Sequence, residues 1–454
     1  MRTFFVQTLG CKVNQYESRQ LRQFLEHSGL VSAAEPSCAD LAIVNTCCIT
    51  HVASSKSRRS IRQAKNKNPN ALVIVTGCLP AGQAHELGDL DRNCLIVENK
   101  EQLPVILNQI LNARNKSHWH IHSSKPSNHS EIKDKSPAVQ DKPPADPLEI
   151  TVKTDTLGLL ESYDGQCRAF LKVQDGCDAY CTYCIIPRIR KKVCNKSVKN
   201  ILHEARSLIA AGHREIVLTG IFLGAYGQTT SRRRQWDCTR RDSLAEMVAQ
   251  VADLPGLARL RLSSLEPADV TDRLLDVFRT YPAVVPHLHL PLQSGSGQIL
   301  KKMARQYTIE QFVDVVQRTK AALDRPAITT DIIVGFPGET EADFQETIQL
   351  AQQSGFAKIH VFSFSPRQNT PAADFEPKVP APIIRDRSSR LQALDRQLQA
   401  EFRQQFIGQP VEVIVESTRP PKGRCQRYFM VDLSDLPDTK TLQKGQLVRL
   451  TLTR

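Results

Sequence analysis

The chain has 454 residues, 41% hydrophobic and 24% charged, the composition of a soluble globular protein with room for about three domains. No run of about 18 apolar residues occurs, which excludes a membrane-spanning helix, and Met1-Arg-Thr-Phe-Phe-Val-Gln reads as a short strand rather than a signal peptide, so a cytoplasmic protein is expected. In that compartment thirteen cysteines are ligands or free thiols rather than disulfides, while a net charge of +13 points to nucleic acid only if a site supports it.

Residues 1–112 alternate apolar runs with amphipathic ones. Strands are predicted at Thr3–Thr8, Leu41–Asn45, Ala71–Gly77 and Cys94–Val97, and helices at Asn14–Ser28, His51–Lys67 and Glu101–Leu111. This alternation predicts a parallel sheet flanked by helices. Cys11, Cys47 and Cys78 fall just after the first three strands, on the edge where open parallel sheets bind ligands. They make a candidate three-thiolate site; the alternative is three buried cysteines acting as small hydrophobes. Cys48 adjoins Cys47, and only one of the two can point the same way from a regular backbone. Cys38 and Cys94 read as structural.

Residues 113–150 are polar and proline-bearing, and a flexible linker is expected over 113–164. Its His118, His120, His122 and His129 suit either a metal tract or a solvated linker.

Residues 165–380 predict a central domain. A strand at Ala169–Val173 leads into D-G-C-D-A-Y-C-T-Y-C-I-I-P, which sets Cys177, Cys181 and Cys184 in a C-x3-C-x2-C array. Three thiolates on one loop can bind three irons of a [4Fe–4S] cluster and leave the fourth open. A structural zinc loop is the alternative, but it usually takes four ligands in two C-x2-C halves. The spacing resembles the radical S-adenosylmethionine (SAM) enzymes, where the open iron chelates SAM. Five further strand–helix steps are predicted up to Lys358–Phe364, giving a partial (β/α)6 barrel whose site gathers at the carboxyl ends of its strands.

Polar, glycine-bearing segments sit at those ends: T-G-I-F-L-G-A-Y-G, S-S-L-E-P, H-L-P-L-Q-S-G-S-G and D-I-I-V-G-F-P-G-E-T. Two other basic segments stand out. R-I-R-K-K-V-C-N-K-S-V (Arg188–Val198) follows the cysteine loop, and S-R-R-R-Q-W-D-C-T-R-R (Ser231–Arg241) is either a phosphate-gripping loop with a stacking Trp or a solvated insertion. A charged helix is expected over 381–408. Alternating residues in 409–454 predict a small β-barrel, with Arg419, Lys422, Arg424 and Arg427 as phosphate contacts.

T-L-G-C-K-V-N-Q-Y-E-S (Thr8–Ser18), N-T-C-C-I-T (Asn45–Thr50) and T-G-C (Thr76–Cys78) resemble the amino-terminal domain of the radical SAM methylthiotransferases. The K-V-N-Q-Y wording is closest to the branch acting on threonylcarbamoyladenosine in tRNA. The resemblance implies two [4Fe–4S] clusters, one on Cys177, Cys181 and Cys184 and an auxiliary one on Cys11, Cys47 and Cys78. It implies SAM contacts at Gly220, Glu266, Gln293, Ser294 and Glu339, with Arg305 a further candidate or a surface ion pair. It implies a tRNA-binding TRAM-like carboxyl-terminal domain and an electron donor such as flavodoxin or ferredoxin. The implied reaction is radical methylthiolation at C2 of N6-threonylcarbamoyladenosine 37. Isopentenyladenosine in tRNA, a ribosomal protein, or simple RNA binding by a degenerate site are the alternatives. Two wordings depart from the family: Leu79-Pro80-Ala81 after Cys78, and Arg188–Val198, which keeps the positive charge but loses the usual glycine and arginine pattern.

Overall fold

The computed structural model describes residues 1–87, 93–113, 157–163, 165–436 and 438–453. Five parallel strands, β1 (Thr3–Thr8), β2 (Val31–Ser32), β3 (Leu41–Thr46), β4 (Leu72–Gly77) and β5 (Cys94–Ile96), form the first sheet in the order β2-β1-β3-β4-β5. Helices α1 (Lys12–His27), α2 (His51–Lys67), α3 (Cys78–Gln83) and α4 (Leu103–Ala113) accompany them. β3 is buried at all six positions, as a central parallel strand covered on both faces must be. Its alternation divides it between two cores. Leu41 and Ile43 pack with Leu21, Leu25 and Leu107, whereas Ala42 and Val44 pack with Ile61 and Ala64.

The expected linker falls largely outside the described residues, and so do its four histidines. Its last part, 157–163, is docked. Leu160 and Tyr163 are buried in the central core, and the carbonyls of Gly158, Leu159 and Ser162 accept hydrogen bonds from Gln20, Gln23 and Arg19 on α1. Two large apolar side chains in this polar surrounding make the segment part of the fold rather than of a linker.

The central domain contains β6 (Ala169–Lys172), the short pair β7 (Gln174–Asp175) and β8 (Cys194–Asn195), then β9 (Glu215–Thr219), β10 (Arg259–Leu262), β11 (His287–His289), β12 (Ala327–Val334) and β13 (Lys358–Ser363). β6, β9 and β10 make one parallel sheet and β11, β12 and β13 another. Parallel bridges Leu260↔Val284 and Ser264↔His289 join them into a six-stranded arc. Its helices are α5 (Ile186–Ile189), α6 (Val198–Ala210), α7 (Ser243–Ala252), α8 (Asp272–Thr280), α9 (Gly297–Lys302), α10 (Ile309–Ala322) and α11 (Glu341–Ser354). Leu288, Ile328 and Ile332 pack in the apolar cluster with Phe312 of α10. Period-two alternation therefore turns His287, His289, Thr329 and Asp331 to the other face, the lumen.

The long helix α12 (Ala381–Gln404) lies against β13. Leu391, Leu394 and Leu398 enter the central core, so it packs on the barrel as well as connecting it onward. The strands β14 (Pro410–Thr418), β15 (Pro421–Cys425), β16 (Met430–Asp432) and β17 (Leu447–Thr451) form a four-stranded antiparallel sheet, order β16-β15-β14-β17. It meets the start of the barrel strands: Arg259 Nε lies 3.0 Å from Glu412, Arg168 lies 3.1 Å from Glu416, and the His287 and Tyr428 rings stack at 4.2 Å. Among the described residues no helix is long and apolar enough to cross a membrane.

Candidate active site

Register brings the first three cysteines together. Thr8 pairs with Asn45 and Thr46 with Gly77, so the residues that follow emerge along one sheet edge. Gly77 holds φ +101°, and a Cβ there would stand 2.5 Å from the Thr46 backbone, so only glycine lets the chain turn into Cys78. Asn14 ties the edge together, donating to the carbonyls of Leu9 and Thr46 at 2.8 and 2.9 Å. The Cys48 thiol points elsewhere, to the Cys78 carbonyl at 3.1 Å. Burial pushes the Cys47 thiol up to about 12, and Cys78 and Cys11 add to the rise. The Cys11 thiol is likewise raised by burial and by Cys78, although the residue keeps solvent access; both hold for a group in a concave hollow. The Asn45 Oδ1 and Thr76 Oγ1 atoms at this edge are buried without a partner.

The second triad sits on the loop after β7. Gly176 holds φ +79° with its Cβ position 1.8 Å from the Lys192 carbonyl oxygen, and Cys177 N donates to the Arg190 carbonyl at 2.9 Å. Burial raises Cys177 to about 11 and Cys184 to about 12, and in each case neighbouring thiols of the loop contribute. Arg305 Nη1 donates to Cys181 Sγ at 3.1 Å. Within each triad the thiols stand in electrostatic reach of one another, and none is in a disulfide. Thiols that destabilise one another's ionised forms suit a cluster whose irons neutralise them, so both donor sets fit a [4Fe–4S] group with one open iron.

Between the triads stands Arg190. Its Nη1 lies 2.9 Å from Glu17 of α1 and 2.6 Å from Asp175 beside the cysteine loop, and its Nη2 lies 3.4 Å from Asn14 Oδ1. The departure at Arg188–Val198 is thus an interdomain brace. It also borders a hollow of about 620 Å³ lined by Cys78, Asn45, Thr76, Asp175 and Arg190. α1 carries a second brace: Tyr16 Oη donates to Glu204 at 2.7 Å and accepts from Lys196 at 2.8 Å. Lys12, half-buried at the start of α1, lies within electrostatic reach of Asp331 in the lumen and of Cys11.

The expected SAM contacts divide. Gly220, after β9, sits against Gln174, whose amide donates to the Gly176 carbonyl at 2.8 Å. Glu266, after β10, accepts from Arg305 at 2.6 Å and from Arg233 at 3.1 Å. Both therefore lie beside the cysteine loop. Gln293 takes the left-handed conformation at φ 64° and bridges to β12. Ser294 faces Thr347 of α11 at 3.5 Å. Glu339 accepts from the Gly335 amide and from Arg387 of α12 at 2.8 Å. The Ser294 and Glu339 side chains are thus occupied by the packing of α11 and α12. Arg305 is largely enclosed rather than a surface ion pair; burial opposes its charge, but Glu266 more than offsets this and holds it well above the usual guanidinium range.

The arginine-rich loop folds onto the cysteine loop. Asp178 accepts from Thr230 Oγ1 at 2.7 Å and Ser231 N at 2.6 Å, while Arg233 pairs with Asp269 at 2.7 Å and lies 4.6 Å over the Trp236 ring. Arg233 and Trp236 are engaged internally, whereas Arg234 and Arg241 are exposed. In the carboxyl-terminal sheet Arg424 pairs with Glu416 at 2.9 Å and Arg427 with Asp324 at 3.0 Å, so these two expected phosphate contacts are already paired; Arg419 and Lys422 are exposed. The acidic neighbours that pair them lie far away in the chain or on the adjoining strand, where sequence spacing gives no signal.

The profile described as uncharacterized protein family UPF0004 matches residues 3–97, and that of the radical SAM superfamily matches residues 171–351. The chain is 34% identical over 453 residues to a Chlamydia pneumoniae protein named threonylcarbamoyladenosine tRNA methylthiotransferase MtaB, covering 100% of this chain and 96% of that one. It is 34% identical over 418 residues to the Bacillus subtilis protein of the same name, at 92% and 85% coverage. A Clostridium botulinum protein named tRNA-2-methylthio-N(6)-dimethylallyladenosine synthase is 32% identical over 420 residues, at 91% and 86% coverage. Among solved structures, the radical SAM methyltransferase TsrM from Kitasatospora setae superposes with a TM-score of 0.54 at 13% identity, covering 82% of this chain and 77% of that one, a likeness of fold.

Proposed function

The chain belongs to the radical SAM tRNA methylthiotransferases, and on that premise we propose that it methylthiolates C2 of N6-threonylcarbamoyladenosine 37 in tRNA. SAM and [4Fe–4S] clusters are the family's cofactors, with two clusters typical. The observation that carries the substrate is the match over nearly the full length of both chains to a relative named for threonylcarbamoyladenosine. A second support is chemical. The threonylcarbamoyl group bears a carboxylate and the isopentenyl group none, and Lys12 sets an amine next to Cys11, within electrostatic reach of it.

In this reading Cys177, Cys181 and Cys184 hold one cluster and Cys11, Cys47 and Cys78 the other. When bound, the clusters and SAM supply the radical and sulfur chemistry that acid–base groups cannot perform on an aromatic C–H. The chain's own residues do the rest. Arg305 donates to Cys181 and fixes Glu266 beside the cysteine loop. Arg190 and Tyr16 lock α1, and with it Cys11, to the barrel. Gly220 lets the chain pass close against Gln174 beside the cysteine loop, and Gly220, Glu266 and Gln293 stand as the SAM contacts in this reading.

We read domain limits at 1–112, 165–380, 381–408 and 409–454, with 157–163 counted with the barrel it packs against. The carboxyl-terminal sheet serves as a TRAM-like RNA-binding module through exposed Arg419 and Lys422, and flavodoxin or ferredoxin supplies electrons. A tRNA substrate carries a cytoplasmic location with it. Mass spectrometry of tRNA nucleosides from a deletion strain tests the reading. The 2-methylthio form of threonylcarbamoyladenosine should vanish and return with the gene on a plasmid. Its persistence, with loss of the isopentenyl derivative instead, would transfer the assignment to the dimethylallyl branch.

A further inference from the structure

The lumen carries a polar cluster that neither thiol triad uses. One ligand atom from each of His289, Asp331 and His360 lies within 4.8 Å of the others. The three residues come from adjacent parallel strands. His289 on β11 pairs in register with Thr329 on β12, and Asp331 pairs with His360 on β13. Since Thr329 and Asp331 are two apart, all three point from one face of the sheet. His289 is oriented from behind: its Nδ1 lies 2.9 Å from Thr329 Oγ1, and its Nε2 lies 3.3 Å from Asp331 Oδ2. Metal-binding histidines are oriented by a hydrogen bond on the ring nitrogen that does not bind the ion, and Thr329 Oγ1 occupies that position at His289. The His289 and His360 ring centroids are 5.8 Å apart, and the His289 and Asp331 side chains keep 14% and 27% of their accessibility, so an ion can reach them.

We propose that His289, Asp331 and His360 form a binding site for a divalent transition-metal ion of the Zn2+ or Fe2+ class. Two imidazole nitrogens and one carboxylate are the donor set such borderline ions take, whereas Ca2+ and Mg2+ call for oxygen donors. Three protein ligands on rigid strands leave coordination positions open to an oxygen donor entering the lumen. The ligands come from three adjacent barrel strands and none belongs to either cysteine set, so the site is additional to the two thiol triads.

The test uses full-length protein reconstituted with iron and sulfide, stripped of loose metal with a chelator, then given Zn2+ and desalted. Zinc, iron and sulfide are counted per chain, and zinc K-edge absorption reports the ligand shell. Wild type is expected to hold one more zinc per chain than His289→Gln/His360→Gln, with iron and sulfide equal in the two. The extra ion should show nitrogen and oxygen neighbours at about 2.0–2.2 Å rather than sulfur at about 2.3 Å. Equal zinc in wild type and variant, or a shell of sulfur alone, overturns the proposal. Should the double variant fail to fold, Asp331→Asn and the absorption spectrum of wild type decide it on the same criteria.

Discussion

Arg190 and Glu17 meet at 2.9 Å across the boundary between the first sheet and the barrel, with Asp175 on the same guanidinium at 2.6 Å. Burial opposes ionisation of Glu17, yet Arg190, Lys100 and Lys172 together hold its carboxyl well below the usual carboxylate range. Removing the guanidinium leaves Lys172 as the remaining cation beside both carboxylates and Lys100 beside Glu17. Arg190→Met is expected to cost about 1–3 kcal/mol in chemical denaturation, the range for lost hydrogen bonds to charged groups, and Arg190→Lys less, since it keeps the charge but loses the fork that spans both partners. Equal stability of Arg190→Met and wild type would contradict the brace.

The two thiol triads predict separable losses. Reconstituted wild type should carry about eight irons per chain, and single Cys→Ala changes in either triad about four. Cys181→Ala should lose SAM cleavage to 5′-deoxyadenosine, whereas Cys78→Ala should keep the cleavage and lose methylthiolation. Iron and sulfide assays beside chromatography of deoxyadenosine read both. Undiminished deoxyadenosine from Cys181→Ala would remove the role given to the loop.

Gly77 offers a backbone test of the same edge. Alanine there needs φ +101° and a Cβ 2.5 Å from the Thr46 backbone, a strain that costs more than about 1 kcal/mol. Gly77→Ala is expected to lower the iron count toward that of Cys78→Ala while SAM cleavage by the barrel survives. A full iron count in Gly77→Ala would show that the edge tolerates a side chain.

What the sequence made legible is what depends on local period. The strands of both parallel sheets and helices such as His51–Lys67 and Glu341–Ser354 lie where alternation and caps put them, and the strand-end cysteines follow from counting strands. The interdomain contacts were not legible, because they join residues far apart in the chain. Arg190 read as a lost pattern until Glu17, 173 positions away, came to meet it. Arg305 read either as a further SAM contact or as a surface ion pair, because Cys181 lies 124 positions before it. Glu339 and Ser294 sit in segments of the right wording but turn toward α11 and α12, a direction that composition does not carry. Residues 157–163 hide their Leu160 and Tyr163 at the end of a polar stretch.

His287 predicts an acid sensitivity. Burial, then Arg261 and His289, hold its imidazole well below the ordinary 6.5. A folded state that resists protonation binds fewer protons than the unfolded chain once pH falls through 6.5. Stability therefore rises with pH in that window and is lost progressively below it. The melting temperature should fall between about pH 7 and about pH 5, and less so in His287→Phe, which keeps the stack on Tyr428 without the titration. An equal fall in both proteins would assign the loss to other groups.

Arg305 joins the cysteine loop to the residue proposed to meet SAM, so its replacement should change two observables in different ways. Nη1 donates to Cys181 Sγ at 3.1 Å and Nη2 to Glu266 at 2.6 Å, both enclosed. A buried cation and donor on a ligating sulfur favours the reduced, more negative form of a cluster, and hydrogen bonds to sulfur are among the terms that set its potential. Arg305→Met should therefore lower the reduction potential of the loop's cluster, each 59 mV being about tenfold in a one-electron equilibrium. Arg305→Lys keeps the charge but cannot reach both partners with fixed geometry, so its potential should fall less. Glu266 keeps Arg233 at 3.1 Å in either variant, so its orientation is only partly lost, and the KM for SAM should rise by a smaller factor than the cleavage rate falls. Redox titration followed by electron paramagnetic resonance reads the first effect and steady-state cleavage the second. A potential unchanged from wild type in Arg305→Met would make the contact with Cys181 a matter of packing alone.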